Sequence, residues 1–296
     1  MGFAVVVLQM TPTKKKTTTK KGDKRLKMDN TKFRSPQHFE RYTQFYLKAP
    51  IIQEIFVDLV DLRDIFIPSC FEGGGWDKLL SDLLRICEPL IREFYANAVL
   101  REHEINYWIR GHEFTIDVDD IDEVLGFEDM DDHDFTHYKD RMLSLETVQT
   151  YIGGVREGRC LNTIAFAADM RCLTMIMIFN LYPVKKLTII NNARAIFLME
   201  LKENTYIDIS AHIFYTIVDE TRTTSKAKLI FSSLLMRLFR AKGVAIPQDI
   251  SLMPTPSAIN KLTITRIRIR LPGDEREGDQ EEGEPMETGI EVEGQP

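Results

Sequence analysis

Asp117 to Asp134 packs ten carboxylates into one stretch, DVDDIDEVLGFEDMDDHD, and carboxylates are what a metal-dependent nuclease needs. Two-metal catalysis requires acids converging from separate elements of the fold. Acids crowded on one capped helix and the loop after it form a solvated face instead. A calcium loop would need glycine at its sixth position, which this stretch lacks. His133 and His137 stand four apart, the spacing that puts two ligands on one helix face. A zinc hydrolase would carry HExxH, but Asp134 occupies the glutamate position. Cys160 and Cys172 have no CxxC partner, so the close-paired spacing of a structural zinc site is missing. No GxxxxGK[ST], GxSxG or GxGxxG occurs. The residues therefore predict no catalytic group, no metal and no cofactor: the chain reads as a non-enzyme.

The positive signal is a basic arm, KKKTTTKKGDKRLK. Lys14, Lys15, Lys16, Lys20, Lys21, Lys24, Arg25 and Lys27 face one acid, Asp23. Flexible lysines displace the counterions of phosphates without reading sequence, so the arm predicts non-specific contact with DNA or RNA. It contains no aromatic residue and so offers no stacking platform for single strands. The same cluster suits a nuclear import signal, which predicts a nuclear location, with the cytoplasm as the alternative. A solubilising tail is the bland reading of the same residues.

Charge is distributed unevenly along the 296 residues. The net charge of −7 conceals the basic arm and an opposite end, residues 273–296, with ten acids against Arg276 alone. Four sparse cysteines (Cys70, Cys87, Cys160 and Cys172), three of them among apolar neighbours, suit buried thiols in a reducing compartment. MGFAVVVLQM lacks a basic n-region, and Val6 breaks the myristoylation pattern after Gly2. No stretch is apolar for long enough to cross a membrane. A soluble intracellular protein with no membrane partner is expected.

The elements follow from local signals. Ser35-Pro36 is a helix start, and HFERYTQFYL places Phe39, Tyr42 and Tyr46 on one face. Ile51 to Val60 reads as a short helix or turn. The glycines of FEGGGW make a turn that brings Trp76 to the core. DKLLSDLLRICEPLIREFYANAVL is helical in period, with Pro89 kinking or splitting it. Within it Ile91, Phe94 and Tyr95 face the core, a buried Tyr95 hydroxyl needs a partner, and Arg92 and Glu93 lie mostly at the surface. Ile105 to Ile116 is a β-hairpin turning at Arg110-Gly111-His112. Asp117 caps VDDIDEVL, Gly126 ends it, and residues 127–140 form an acidic loop.

The later half reads as helices: Leu161 to Asn180, then a helix capped by Thr188, then Ile207 to Val218, and last the segment ending at Gly243. KLTITRIRIRL alternates isoleucine with arginine and predicts an edge strand or extended tail. The expected fold class is mainly α: a single multi-helix domain with one small β-hairpin and disordered ends. Residues 1–34 are the basic disordered arm and 35–250 the helical domain. Residues 251–272 are a proline-containing exit and 273–296 the acidic disordered tail.

Trp76, the helix ending IREFYANA, the extended pair around IRG and the helix end LGF together resemble the putative plant transposon protein domain family. LYPVKKLTIINNARAIFLMELKENTYIDISAHIFYTI and LIFSSLLMRLFRAKGV continue the likeness, which spans about residues 38–250. Members of that family often carry glycine between the two later helices; here Asn204, which tolerates the left-handed conformation, is expected to replace it. EFTIDVDDIDEVLGF gives a weaker likeness to the plant mobile domain. Both resemblances imply mobile-element ancestry, and neither brings a catalytic residue. The expected function is a non-catalytic interaction domain with non-specific nucleic-acid binding through the arm. The alternatives are a protein–protein interaction module without nucleic-acid binding and a degenerate transposase-type nuclease.

Overall fold

The computed structural model describes residues 27–72, 75–101, 103–127, 143–184, 188–205, 207–223 and 226–269. The arm up to Arg25, the acidic loop beyond Phe127 with His133 and His137, and the acidic tail lie outside these residues. Among the described residues there are ten α-helices and two three-stranded antiparallel sheets. The fold is thus helix-rich but mixed α/β, a correction to the mainly α expectation.

Helix α1 (Pro36–Arg41) starts at Ser35 with proline in its first turn, and a π-helical turn, Tyr42–Tyr46, extends it. Of residues 51–60, read as a short helix or turn, only Leu59 and Val60 lie in a turn. Ile51 forms a parallel bridge to Leu229 and Val57 another to Ile259, so residues 51–57 run extended through the body. Between those bridges the backbone of Ile55 has a side chain as its partner. Its N–H donates to Asn180 Oδ1 (3.2 Å), and Asn180 Nδ2 donates to its carbonyl (2.9 Å). One buried amide therefore does the work of a neighbouring strand.

Gly75, at φ 88°, opens α2 (Trp76–Leu80), and Trp76 packs edge-on against Phe71 and Phe127. Pro89 splits the long periodic segment. Residues 81–87 are non-helical, and proline sits in the first turn of α3 (Glu88–Asn97), where its missing donor costs nothing. Strands β1 (Val99–Arg101), β2 (Glu104–Ile109) and β3 (His112–Ile116) form the first sheet. Arg110 (φ 50°) and Gly111 (φ 88°) make the mirror-image turn that matches strand twist. Tyr107 stacks on Phe114 on the core face, while Asn106, Trp108 and Arg110 occupy the other. Helix α4 (Val118–Leu125) carries a reciprocal capping box between Asp117 and Asp120 and ends at Gly126, φ 76°.

The second half departs further from its sequence reading. After α5 (Leu145–Ile152), strands β4 (Val155–Glu157), β5 (Cys160–Asn162) and β6 (Ile189–Asn191) build the second sheet. Residues 161–180 are therefore not one helix: strand β5 and a 3₁₀ turn precede α6 (Ala168–Ile176) and its π-helical end, Met177–Leu181. Thr188 is no cap either. Asn191 accepts from the Arg194 N–H to start α7 (Asn192–Lys202), because the preceding residues are drawn into the sheet. Asn204 takes the left-handed conformation (φ 49°) as expected. Helix α8 (Ile209–Arg222) is capped by Asp208, and α9 is only Ser232–Ala241.

Within KLTITRIRIRL the described residues, Lys261–Ile269, form a helix, α10, not an edge strand. Ile264 and Ile267 are buried three residues apart, so the helical period wins and Ile269 is left 60 % exposed. One hydrophobic cluster runs from Phe33 to Ile267, so residues beyond 250 are part of the packed body.

Candidate functional site

Helix α3 carries the signature Arg92-Glu93-Phe94-Tyr95-Ala96-Asn97, and each polar side chain in it holds a different part of the chain. Phe94 and Tyr95 are fully buried, as their spacing predicts. Arg92 and Glu93 are not surface residues: their side chains are 12 % and 3 % exposed. The Arg92 guanidinium donates to the carbonyls of Tyr46 and Ala49, fixing the end of the first helix, and pairs with Glu88 at 2.7 Å. The Tyr95 hydroxyl donates to the Ile230 carbonyl (3.0 Å) and accepts from the Ile230 N–H (3.3 Å), fixing the entry to α9. Asn97 accepts from the Arg34 N–H (3.2 Å) and donates to the Lys32 carbonyl (2.7 Å).

Glu93 faces the hairpin turn. Its Oε2 lies 3.4 Å from Arg110 Nε. Burial pushes the Glu93 carboxyl up to about 7, against the pull of Arg110 and Lys32. A helical period cannot reveal this, because the covering residues arrive from β2 and from the arm.

The arm's root is built into the body. Phe33 is buried between Phe39 and Tyr42, with ring centroids 5.2 and 4.9 Å away. Arg34 Nη1 reaches Asn106 Oδ1 (3.1 Å) and Glu113 Oε1 (2.7 Å) on the outer face of the hairpin. Phe33 and Arg34 therefore belong to the packed body, so the arm expected to run to residue 34 stops short of them. Of the predicted nucleic-acid contacts, Lys27 is exposed close to this root. Lys14, Lys15, Lys16, Lys20, Lys21, Lys24 and Arg25 lie outside the described residues.

Two acids of the run, Asp117 and Asp120, are engaged within the body. Asp117 and Asp120 cap α4, and Asp120 also pairs with Lys242 at 2.5 Å. Among the described residues no group of three or more His, Cys, Asp or Glu is placed to hold a metal ion. All four cysteines are free thiols, and burial holds Cys70 and Cys172 up at about 12, far from nucleophilic thiolates.

Sequence reasoning also missed Glu54. Phe231 precedes α9 in the left-handed region (φ 49°) and offers no capping oxygen. Glu54, from the extended 51–57 stretch, supplies it: Oε1 accepts from the N–H groups of Ser233 (2.8 Å) and Leu234 (3.1 Å). An uncapped helix start at Phe231 was the available signal, though nothing local names the remote partner.

Residues 72–245 match the family model described as a putative plant retrotransposon-related domain, and the chain belongs to that family. No curated protein and no solved structure matches it. The match takes in α2 through α9, including the REFYAN helix; the arm, α1, the extended 51–57 stretch and α10 lie outside it.

Proposed function

We propose that this mobile-element-derived protein is a non-catalytic interaction domain whose basic arm binds nucleic acid without sequence preference, in the nucleus. The observation that carries the reading is the anchored root. Lys32 and Arg34 are held by Asn97, Phe33 is sunk in the core, and Lys27 emerges exposed beside them. Eight bases in the segment leading into this root carry enough charge to neutralise several phosphates while the body presents a second surface to a partner.

Binding of this kind weakens with salt by about 0.9 log units of affinity per log unit of salt for each phosphate neutralised on duplex DNA. The acidic tail, residues 273–296, carries the charge to compete for the arm over distances of about 10 Å at 0.1 M salt. Fluorescence anisotropy with unrelated duplexes of equal length tests both statements. Deleting residues 1–26 abolishes binding at low salt, and deleting residues 273–296 strengthens it. The first deletion stops at 26 because Phe33 and Arg34 belong to the body. Binding that survives loss of the arm, or that ignores salt, refutes the proposal and leaves the protein–protein module as the reading.

A further inference from the structure

The basic residues of α10 are not equivalent. Lys261 Nζ pairs with Asp64 (2.7 Å) and Arg268 with Asp169 (3.2 Å), so two of its charges are neutralised by the body. Arg266 has no ion pair or hydrogen bond among the described residues. It opens onto a groove of about 290 Å³ between α10, α6 and the loop entering β6. Arg171, on α6, lines the same groove and also lacks a partner among the described residues. Among the described residues no acidic side chain lines it. The walls are Ile164, Met175, Ile178 and Ile267. Thr174 and Thr263 line it as well, but their hydroxyls already donate elsewhere, to the Met170 carbonyl and towards Asn260. The Thr188 hydroxyl remains as a further donor.

Two guanidinium groups from separate helices, unneutralised and over an apolar floor, form a cation site looking for an anion. Each presents planar forked donors that match phosphate oxygens. We infer that this groove is a phosphate-binding site, built jointly by Arg171 and Arg266, for a phosphate group carried by a nucleic-acid backbone or by a free phosphorylated small molecule. It is separate from the arm and stands whether or not the arm binds DNA. Arg266 comes from a helix outside the residues that match the family model, and Arg171 from within them.

The test is calorimetric titration of the intact chain with inorganic pyrophosphate. R171Q and R266Q each weaken binding by about tenfold, and the double variant abolishes it. The R171K/R266K pair keeps the charge but loses the forked donors, so it binds more weakly than wild type and more tightly than the double glutamine variant. R268Q leaves it unchanged, since Arg268 is paired with Asp169 outside the groove. A short duplex then separates the sources. If it displaces pyrophosphate, and the double variant lowers the salt slope of duplex binding by about 0.9 per arginine, the phosphates belong to nucleic acid. If pyrophosphate binds and the duplex does not displace it, they belong to a small molecule. Absence of pyrophosphate binding up to about 10 mM, or equal binding by wild type and double variant, overturns the inference. So does a loss that accompanies a lowered melting temperature and that the lysine pair fails to restore.

Discussion

Replacing Glu93 by Gln removes a titrating carboxyl from the contact between α3 and the hairpin turn while keeping its shape. In the native protein burial moves this carboxyl from 4.5 to about 7. Between those values the folded state holds the proton and the unfolded chain has released it, so stability is fully present below 4.5 and declines as pH rises through 7. The interval is about 2.5 pH units, and at about 1.4 kcal/mol per unit the wild type loses about 3 kcal/mol across it. Glutamine cannot lose a proton there, and its carbonyl still faces Arg110. The stability difference between wild type and Glu93→Gln therefore shifts by about 3 kcal/mol toward the variant between about pH 4.5 and 7.5. Groups common to both proteins, Glu54 and His38 among them, cancel in that difference. Urea unfolding followed by circular dichroism, repeated across this range, measures it. A difference that stays constant with pH would refute the assignment of a proton to Glu93 and the burial argument behind it.

Four further outcomes follow from the same geometry. Asn180→Ala strands the N–H and carbonyl of Ile55 in the core and destabilises by about 3 kcal/mol or more, read from urea midpoints. Tyr95→Phe removes the hydroxyl bound to both backbone groups of Ile230, which costs about 1–3 kcal/mol and appears as a lower melting temperature. Gly75→Ala places a methyl carbon 2.6 Å from the Phe127 ring at φ 88°, so thermal melts show a loss of at least about 2 kcal/mol. Thiol labelling of the native protein at neutral pH modifies Cys160 only, because Cys70, Cys87 and Cys172 are buried; labelling of the unfolded chain counts all four.

What the sequence disclosed was local. Helix α4 announces itself at both ends, through Asp117 with Asp120 and through Gly126, because capping is settled within one turn. The Pro89 split, the Arg110-Gly111 turn and the left-handed Asn204 are equally short-range. The second sheet was hidden: its strands are three residues each, and β6 pairs with a partner separated from it by the whole of α6. Helix α10 was misread because Ile267 and Ile269 alternate as a strand would, and only packing decides that Ile264 and Ile267 are the buried pair. The site was half legible. The arm's charge is plain in the sequence, but its root was drawn too far along the chain, at residue 34. Arg171 sits inside an apolar segment and Arg266 inside the alternating tail, so neither signalled that they share a groove.

The way the chain is stitched has a consequence for its synthesis. Tyr95 meets Ile230 across 135 residues, Glu54 meets Ser233 across 179, and Arg41 meets Thr221 across 180. Val57 waits for Ile259. A nascent polypeptide leaving the ribosome at about 5–20 residues per second holds these early partners open for about 10–40 seconds. During that interval the apolar half of α3, the isoleucines of the 51–57 stretch and the unpaired Ile55 backbone face solvent together. Contacts of such high order also slow the search for the native state after release. Yield from a cell should therefore depend on chaperone capacity and translation speed more than on the stability of the finished fold.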